Sequence, residues 1–256
     1  MRWHAMRTKR QTRRSLLDAA RRRLVILASL LAALALAVSA CSSGGGGGSS
    51  GQSIFITADD GLVLRGKYYA SGLTTHSIIL AHAYDSSQKS WGAFKDSLVA
   101  RGYAVFAIDF RGHGDSPGKK EPGIADADLT AAYRYVRRIT NNQGKVFLIG
   151  ASLGGTAALK VAAREETQGV IALSAPTTIR GLEAGADVPR IAEAKLFIAA
   201  QSDGRYATDA QAMFDAAREP KQIQLVSGSA HGTDLLKGSN ADRVRSLIFD
   251  FLDKNK

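Results

Sequence analysis

Short unbroken apolar runs alternate with stretches of helical spacing from residue 53 to the end of this 256-residue chain. The runs expected to be strands are Ser53–Thr57, Leu62–Tyr69, Ser77–Ala81, Tyr103–Asp109, Lys145–Gly150, Val170–Ser174, Lys195–Ala200 and Gln222–Val226. Between them, Trp91–Arg101, Ala125–Thr140, Gly154–Glu166, Thr208–Arg218 and Ala241–Lys254 read as helices. A strand apolar at every position needs cover on both faces, because its successive side chains point to opposite sides. The pattern predicts an α/β fold: a mostly parallel central sheet with helices on both faces. Ala58-Asp59-Asp60-Gly61 carries an Asp-Gly turn signal, so the first two strands are expected to form a hairpin.

Charge separates the amino-terminal segment from this body. The chain has 34 Lys and Arg against 23 Asp and Glu, a net charge of +11. Residues 1–40 hold nine basic groups and one acid, which leaves 25 against 22 for the remainder. A basic stretch ending at Arg21-Arg22-Arg23 precedes Leu24–Val38, where Ser29 is the only polar residue, and then Ser39-Ala40-Cys41. Basic, apolar and small-residue regions in that order read as a secretory signal over residues 1–40. The apolar run of fifteen residues is short for a membrane-spanning helix. Val38-Ser39-Ala40-Cys41 resembles the lipobox of bacterial lipoproteins. That resemblance implies cleavage before Cys41, lipidation of its thiol and attachment of the mature protein to a membrane of the cell envelope, facing the periplasm or exterior. Cys41 is the chain's single cysteine, so an intramolecular disulfide and a cysteine zinc cluster are both excluded. Residues 41–53, rich in Gly and Ser, read as a flexible tether; its last twelve residues have a reach of about 20 Å. The domain proper is expected at 54–256. Without a clustered basic stripe, this body is not expected to bind nucleic acid.

Gly150-Ala151-Ser152-Leu153-Gly154 follows an apolar strand and opens a helix. This G-x-S-x-G strand–turn–helix is the nucleophile elbow, a tight turn that projects the Ser152 hydroxyl from the sheet. Serine needs a base to act as a nucleophile. In folds carrying this elbow the chain order is serine, acid, histidine, and His231 is the only histidine after Ser152. Of the nine acids between them, Asp203 sits three residues past an expected strand end, where ligand-facing groups of open α/β sheets lie. Asp203 is therefore the expected partner that orients His231. The backbone N–H of Leu153 and one from His82-Ala83-Tyr84 are the expected oxyanion donors.

These stretches, together with Asp109-Phe110-Arg111-Gly112-His113-Gly114-Asp115-Ser116 and His231-Gly232, make residues 54–256 resemble the α/β-hydrolase superfamily. The similarity is greatest to its monoglyceride-lipase-like and serine-aminopeptidase-like members, with dienelactone-hydrolase-like proteins nearby. The resemblance implies Ser152, Asp203 and His231 as catalytic residues, Tyr84 as the second oxyanion donor, structural roles for His82 and His113, and no metal or organic cofactor. Relatives usually have glycine where this chain has Ala83. Only about twenty residues separate Ser174 from Lys195, where many relatives insert a helical lid, so little or no lid is expected. The expected activity is hydrolysis of a carboxylic ester, thioester or amide of a small acyl substrate, with short or medium chains preferred. Two alternatives stay open: a non-catalytic lipoprotein that binds a ligand or partner on this fold, and an acyltransferase. Sequence is silent on oligomeric state.

Overall fold

A computed structural model describes residues 51–70, 76–140 and 144–256. The expected signal, Cys41 and most of the tether lie outside the described residues. Eight strands form one sheet in the order β1-β2-β4-β3-β5-β6-β9-β10. They are β1 Gln52–Thr57, β2 Val63–Tyr69, β3 His76–Ala81, β4 Ala104–Asp109, β5 Lys145–Ala151, β6 Gly169–Leu173, β9 Ala194–Ala200 and β10 Lys221–Val226. The β1–β2 and β2–β4 pairs are antiparallel, and every other pair in this sheet is parallel. β1 begins at Gln52, so the last two residues of the expected tether belong to the sheet.

Five helices cover the two faces: α1 Gly92–Ala100, α2 Ala125–Ile139, α3 Leu153–Ala162, α4 Arg205–Ala216 and α5 Ala241–Asn255. The alternation of the strands divides the core in two. Ile79 and Ala81 of β3 pack with Leu129 and Val136 of α2 and Ala157 of α3. Ile78 and Leu80 of the same strand pack with Phe94 and Leu98 of α1 and Ile248 and Phe251 of α5. Each fully buried Ile or Leu contributes about 2 kcal/mol by transfer from water, and central strands carry such residues on both sides. β1 lies at the sheet edge and alternates instead: Ile54 and Ile56 are buried while Phe55 is 58% exposed. The Arg65 guanidinium covers the Phe55 ring at 4.7 Å.

In the β1–β2 hairpin, Gly61 takes φ +84° and its N–H donates to the Ala58 carbonyl. α3 stops at Ala162, four residues before the expected end, and the Tyr133 hydroxyl donates to the Glu166 carbonyl where the chain turns back towards β6. The connection from Ser174 to Lys195 contains a small hairpin, β7 Thr178–Ile179 and β8 Leu182–Glu183, and a 3₁₀ turn at Val188–Arg190. It therefore carries no helical lid.

A buried polar cluster secures the loops at the carboxyl ends of β3 and β4. Asp109 accepts from the Gln88 N–H at 2.7 Å and the Asp115 N–H at 3.1 Å. The Ser116 hydroxyl donates to the Asp109 carbonyl at 2.6 Å and accepts from the Arg65 N–H at 2.8 Å. Arg111 pairs with the fully buried Asp128, its Nη2 2.7 Å from Oδ1, and its Nη1 reaches Asp60 at 2.7 Å and Glu121 at 3.2 Å. Both charges of the Arg111–Asp128 pair are thus compensated inside the fold.

His82, also fully buried, accepts from the Phe110 N–H through Nε2 at 3.1 Å. Its proton is accordingly on Nδ1, which donates to the Ala83 carbonyl at 2.6 Å. Burial pulls the His82 pKa down to about 4 from an ordinary 6.5. Between those pH values the unfolded chain binds a proton that the folded chain refuses, so His82 costs stability as pH falls through this window. Urea unfolding at about pH 7 and about pH 4.5 is expected to show a loss of about 2 kcal/mol from this group. His82→Gln, which keeps an acceptor for Phe110, should lose less on acidification; an equal drop in both proteins would show that His82 is not the source.

Candidate active site

The site grows from the turn between β5 and α3. Ser152 adopts φ +51° and ψ −115°, a left-handed conformation that costs on the order of 1–3 kcal/mol for a non-glycine residue. Its neighbours make the turn possible. A Cβ on Gly150 would lie 2.1 Å from the Gly154 carbonyl oxygen, and one on Gly154 would lie 2.2 Å from the Ala81 carbonyl oxygen. Two hydrogen bonds hold the turn against adjacent strands: Ser152 N–H to the Leu173 carbonyl at 2.8 Å, and Gly154 N–H to the His82 carbonyl at 3.2 Å. Ser152 is also the N-cap of α3, so its side chain sits at the electropositive end of a helix.

Asp203 and His231 arrive on the loops after β9 and β10. The Gln201 N–H donates to the Val226 carbonyl and the Ser202 N–H to the Gly228 carbonyl, fixing one loop against the other. His231 Nδ1 lies 3.1 Å from Asp203 Oδ1 and 3.0 Å from Oδ2. The Asp203 side chain is 8% exposed and that of His231 is 33% exposed, so the carboxylate is covered while the imidazole reaches the cleft. Gly232, at φ +57°, would place a Cβ 4.0 Å from the Cβ atoms of both Ser152 and Ala83. The histidine loop therefore lies directly on the elbow and on the loop after β3. Ser152 Oγ has no hydrogen-bond partner among the described residues. The backbone N–H groups of Leu153 and Tyr84 likewise donate to no described residue. Ala83 keeps a negative φ, so its methyl imposes no strain on that loop.

Ser152 and His231 open into one cleft of about 420 Å³. Tyr84, Tyr206, Ile179 and Arg180 also line it. Tyr206 was not singled out from sequence: its ring centroid lies 4.1 Å from that of His231, and its N–H donates to the Asp203 carbonyl at 3.1 Å. Its place just after Asp203 was the available signal, but an aromatic at the start of a helix reads equally well as core. Ile179 and Arg180 come from the β7–β8 hairpin, whose two-residue strands are too short to show a period in sequence. Asp234 also borders the cleft and is paired with Lys237 at 2.8 Å. His113 lies beneath, its Nδ1 2.8 Å from the Arg111 carbonyl and its ring centroid 5.5 Å from that of Tyr84. Among the described residues, no group of three or more His, Cys, Asp or Glu side chains could hold a metal ion.

Comparison with known proteins agrees with this architecture. The fold matches the structure of DcsB determined with its substrate analogue, at a TM-score of 0.72 and 14% identity over 80% of this chain and 99% of that one. An esterase from Pyrococcus furiosus superposes at a TM-score of 0.71 with 19% identity, over 80% of this chain and 92% of the esterase. A dienelactone hydrolase from Anabaena variabilis gives 0.69 with 17% identity, over 82% and 99% of the respective chains. In sequence, the uncharacterized protein YfhR of Escherichia coli is 24% identical over 79% of this chain and 81% of its own length. The family model described as serine aminopeptidase, S33, matches residues 74–227, more than half of the chain. With that match and this fold, the chain belongs to the serine aminopeptidase S33 family and is an α/β-hydrolase enzyme.

Proposed function

We propose that this hydrolase cleaves a carboxylic ester, or a thioester or amide, through an acyl-enzyme formed on Ser152. The observation that carries the reading is His231, held on Asp203 at 3.0 Å and lying on the loop that packs against the Ser152 elbow. Asp203 fixes the imidazole with its proton on Nδ1, which leaves Nε2 as the base. Ser152 Oγ attacks the carbonyl carbon as His231 takes the hydroxyl proton. The intermediate's oxyanion is met by the Leu153 and Tyr84 N–H groups, which have no other described acceptor. His231 then gives its proton to the leaving group, and water repeats the cycle on the acyl-enzyme. The Ser–His hydrogen bond belongs to the substrate-bound state; in substrate-free sites such bonds are often long and tighten on binding. Tyr206 packs on the imidazole and keeps its plane in register with Asp203.

A fluorophosphonate probe is expected to label the protein covalently, and Ser152→Ala to abolish the label. An unlabelled wild type that is properly folded would refute the mechanism.

The cleft has no helical lid to enclose a long acyl chain, so short or medium esters are the better substrates. Turnover of a butyrate ester should exceed that of emulsified long-chain triglyceride. The reverse ranking would remove this reading of the cleft.

Cys41 supplies the attachment to the membrane, through lipidation after signal cleavage. The lipobox-like Val38-Ser39-Ala40-Cys41 and the Gly/Ser run behind it support this. Expressed with its signal in a bacterial host, the protein should incorporate labelled palmitate and sediment with membranes. Cys41→Ser should lose the label, and retention of the label by that variant would exclude Cys41 as its site.

A further inference from the structure

Arg180 is the cleft's one lining cation without a carboxylate partner among the described residues. Lys237 pairs with Asp234 at 2.8 Å, and Asp85, also in the lining, pairs with Lys120 at 3.2 Å. Arg180 occupies the first position of the two-residue turn between β7 and β8, at φ +47°, with Gly181 at φ +86°. Tight hairpin turns of this hand favour Asn, Asp or Gly at that position, because an L side chain there is strained. An arginine here pays for left-handed backbone that a smaller residue would adopt readily. Its guanidinium carbon stands 4.1 Å from the centre of the Tyr84 ring, which stacks the group beside the cleft. Arg205 reinforces the placement, donating through Nη2 to the Thr178 carbonyl of the same hairpin at 2.8 Å.

We infer that Arg180 binds an anionic group of the substrate, and that the substrate class is an ester carrying a carboxylate. A guanidinium lying on an aromatic face keeps its N–H edge available, and that planar fork matches a carboxylate in a bidentate pair. Stacking limits the orientations to be frozen on binding, which offsets part of the solvent screening at an exposed position. Because Tyr84 also presents the proposed oxyanion N–H, the anion site and the reacting carbonyl are fixed by one residue. The cleft of about 420 Å³ suits a small molecule with its charge a short chain away from the scissile bond. The inference rests on the proposed serine mechanism for its substrate, while the anion site itself is independently measurable.

The test compares p-nitrophenyl hydrogen glutarate with p-nitrophenyl valerate, esters of equal chain length that differ by one carboxylate. The wild type is expected to favour the charged ester in kcat/KM by about tenfold, and less at high salt. Arg180→Gly, which relaxes the turn and should melt no lower than wild type, is expected to reduce the charged-to-neutral ratio about tenfold, mainly through KM. Arg180→Glu should invert the ratio. A ratio that stays the same in both variants overturns the inference. Calorimetric titration with glutarate and with its diamide supplies a reading independent of turnover: glutarate should bind, and Arg180→Gly should abolish that binding. If neither ester is cleaved, this titration decides. Fluorophosphonate labelling separates the two proposals. A labelled protein with an unchanged ratio or Arg180-independent binding refutes the anion site alone. An unlabelled protein that binds glutarate through Arg180 refutes the serine mechanism alone.

Discussion

The left-handed backbone at Ser152 is the constraint around which the rest of the domain is arranged. A conformation costing on the order of 1–3 kcal/mol persists only where its surroundings over-determine it. Here they do so on both sides. The Ser152 N–H is committed to β6 through Leu173, and the Gly154 N–H to the exit of β3 through His82. α3 packs so closely that Gly150 and Gly154 have no room for a methyl group. The same approach brings the Tyr84 loop and the histidine loop to the elbow, because both leave the sheet next to β5 or are folded back over it. A looser turn would let these loops drift apart as well as lower the serine.

Beneath that surface the fold spends polar groups to hold loops that apolar packing alone would leave soft. Asp109, Arg111, Asp128, Ser116 and His82 are all buried. A buried polar group is tolerable only when its bonding capacity is filled, and here backbone groups and the carboxylates around Arg111 fill it between them. Asp109 takes N–H groups from two different loops, and His82 takes one from Phe110 while returning its own proton to Ala83. Burial holds His82 neutral, which keeps an uncompensated cation out of the core below the elbow. His231, by contrast, has the Asp203 carboxylate behind it and keeps a third of its side chain exposed at the cleft.

What could be read from sequence follows from how each element is stabilised. β3, β4, β5, β6 and β9 were legible because both of their faces are covered, so solvent imposes no polar positions to blur the run. The placement of Asp203 and His231 together beside the Ser152 elbow was legible because chain order and strand ends fix where such residues fall. The end of α3 was not. Ala163-Arg164-Glu165-Glu166 has good helix propensity, yet tertiary structure stops the helix at Ala162 and holds the Glu166 carbonyl on the Tyr133 hydroxyl. α4 likewise begins at Arg205, three residues before the expected start, after Gly204 at φ +51°. The β7–β8 hairpin escaped because strands of two residues carry no periodicity, and Tyr206 because an aromatic just after Asp203 reads equally well as core.

That hairpin changes what the short Ser174–Lys195 connection means. Taken as a length, it only rules out a large lid, and the loss of a lid removes the apolar enclosure by which many such sites bind long chains. Folded as β7–β8, it sets Ile179 and Arg180 at the cleft and lays the guanidinium on Tyr84. Solvent screens a charge pair at an open site, so what favours binding there is a group already oriented before the ligand arrives, as the guanidinium stacked on Tyr84 is. On the proposed reading, the connection therefore exchanges enclosure of a long acyl chain for recognition of charge on a short one. The strained φ of Arg180 has a consistent place in that exchange: a small turn residue would fold more easily but would leave the cleft lining with no cation free of a carboxylate among the described residues.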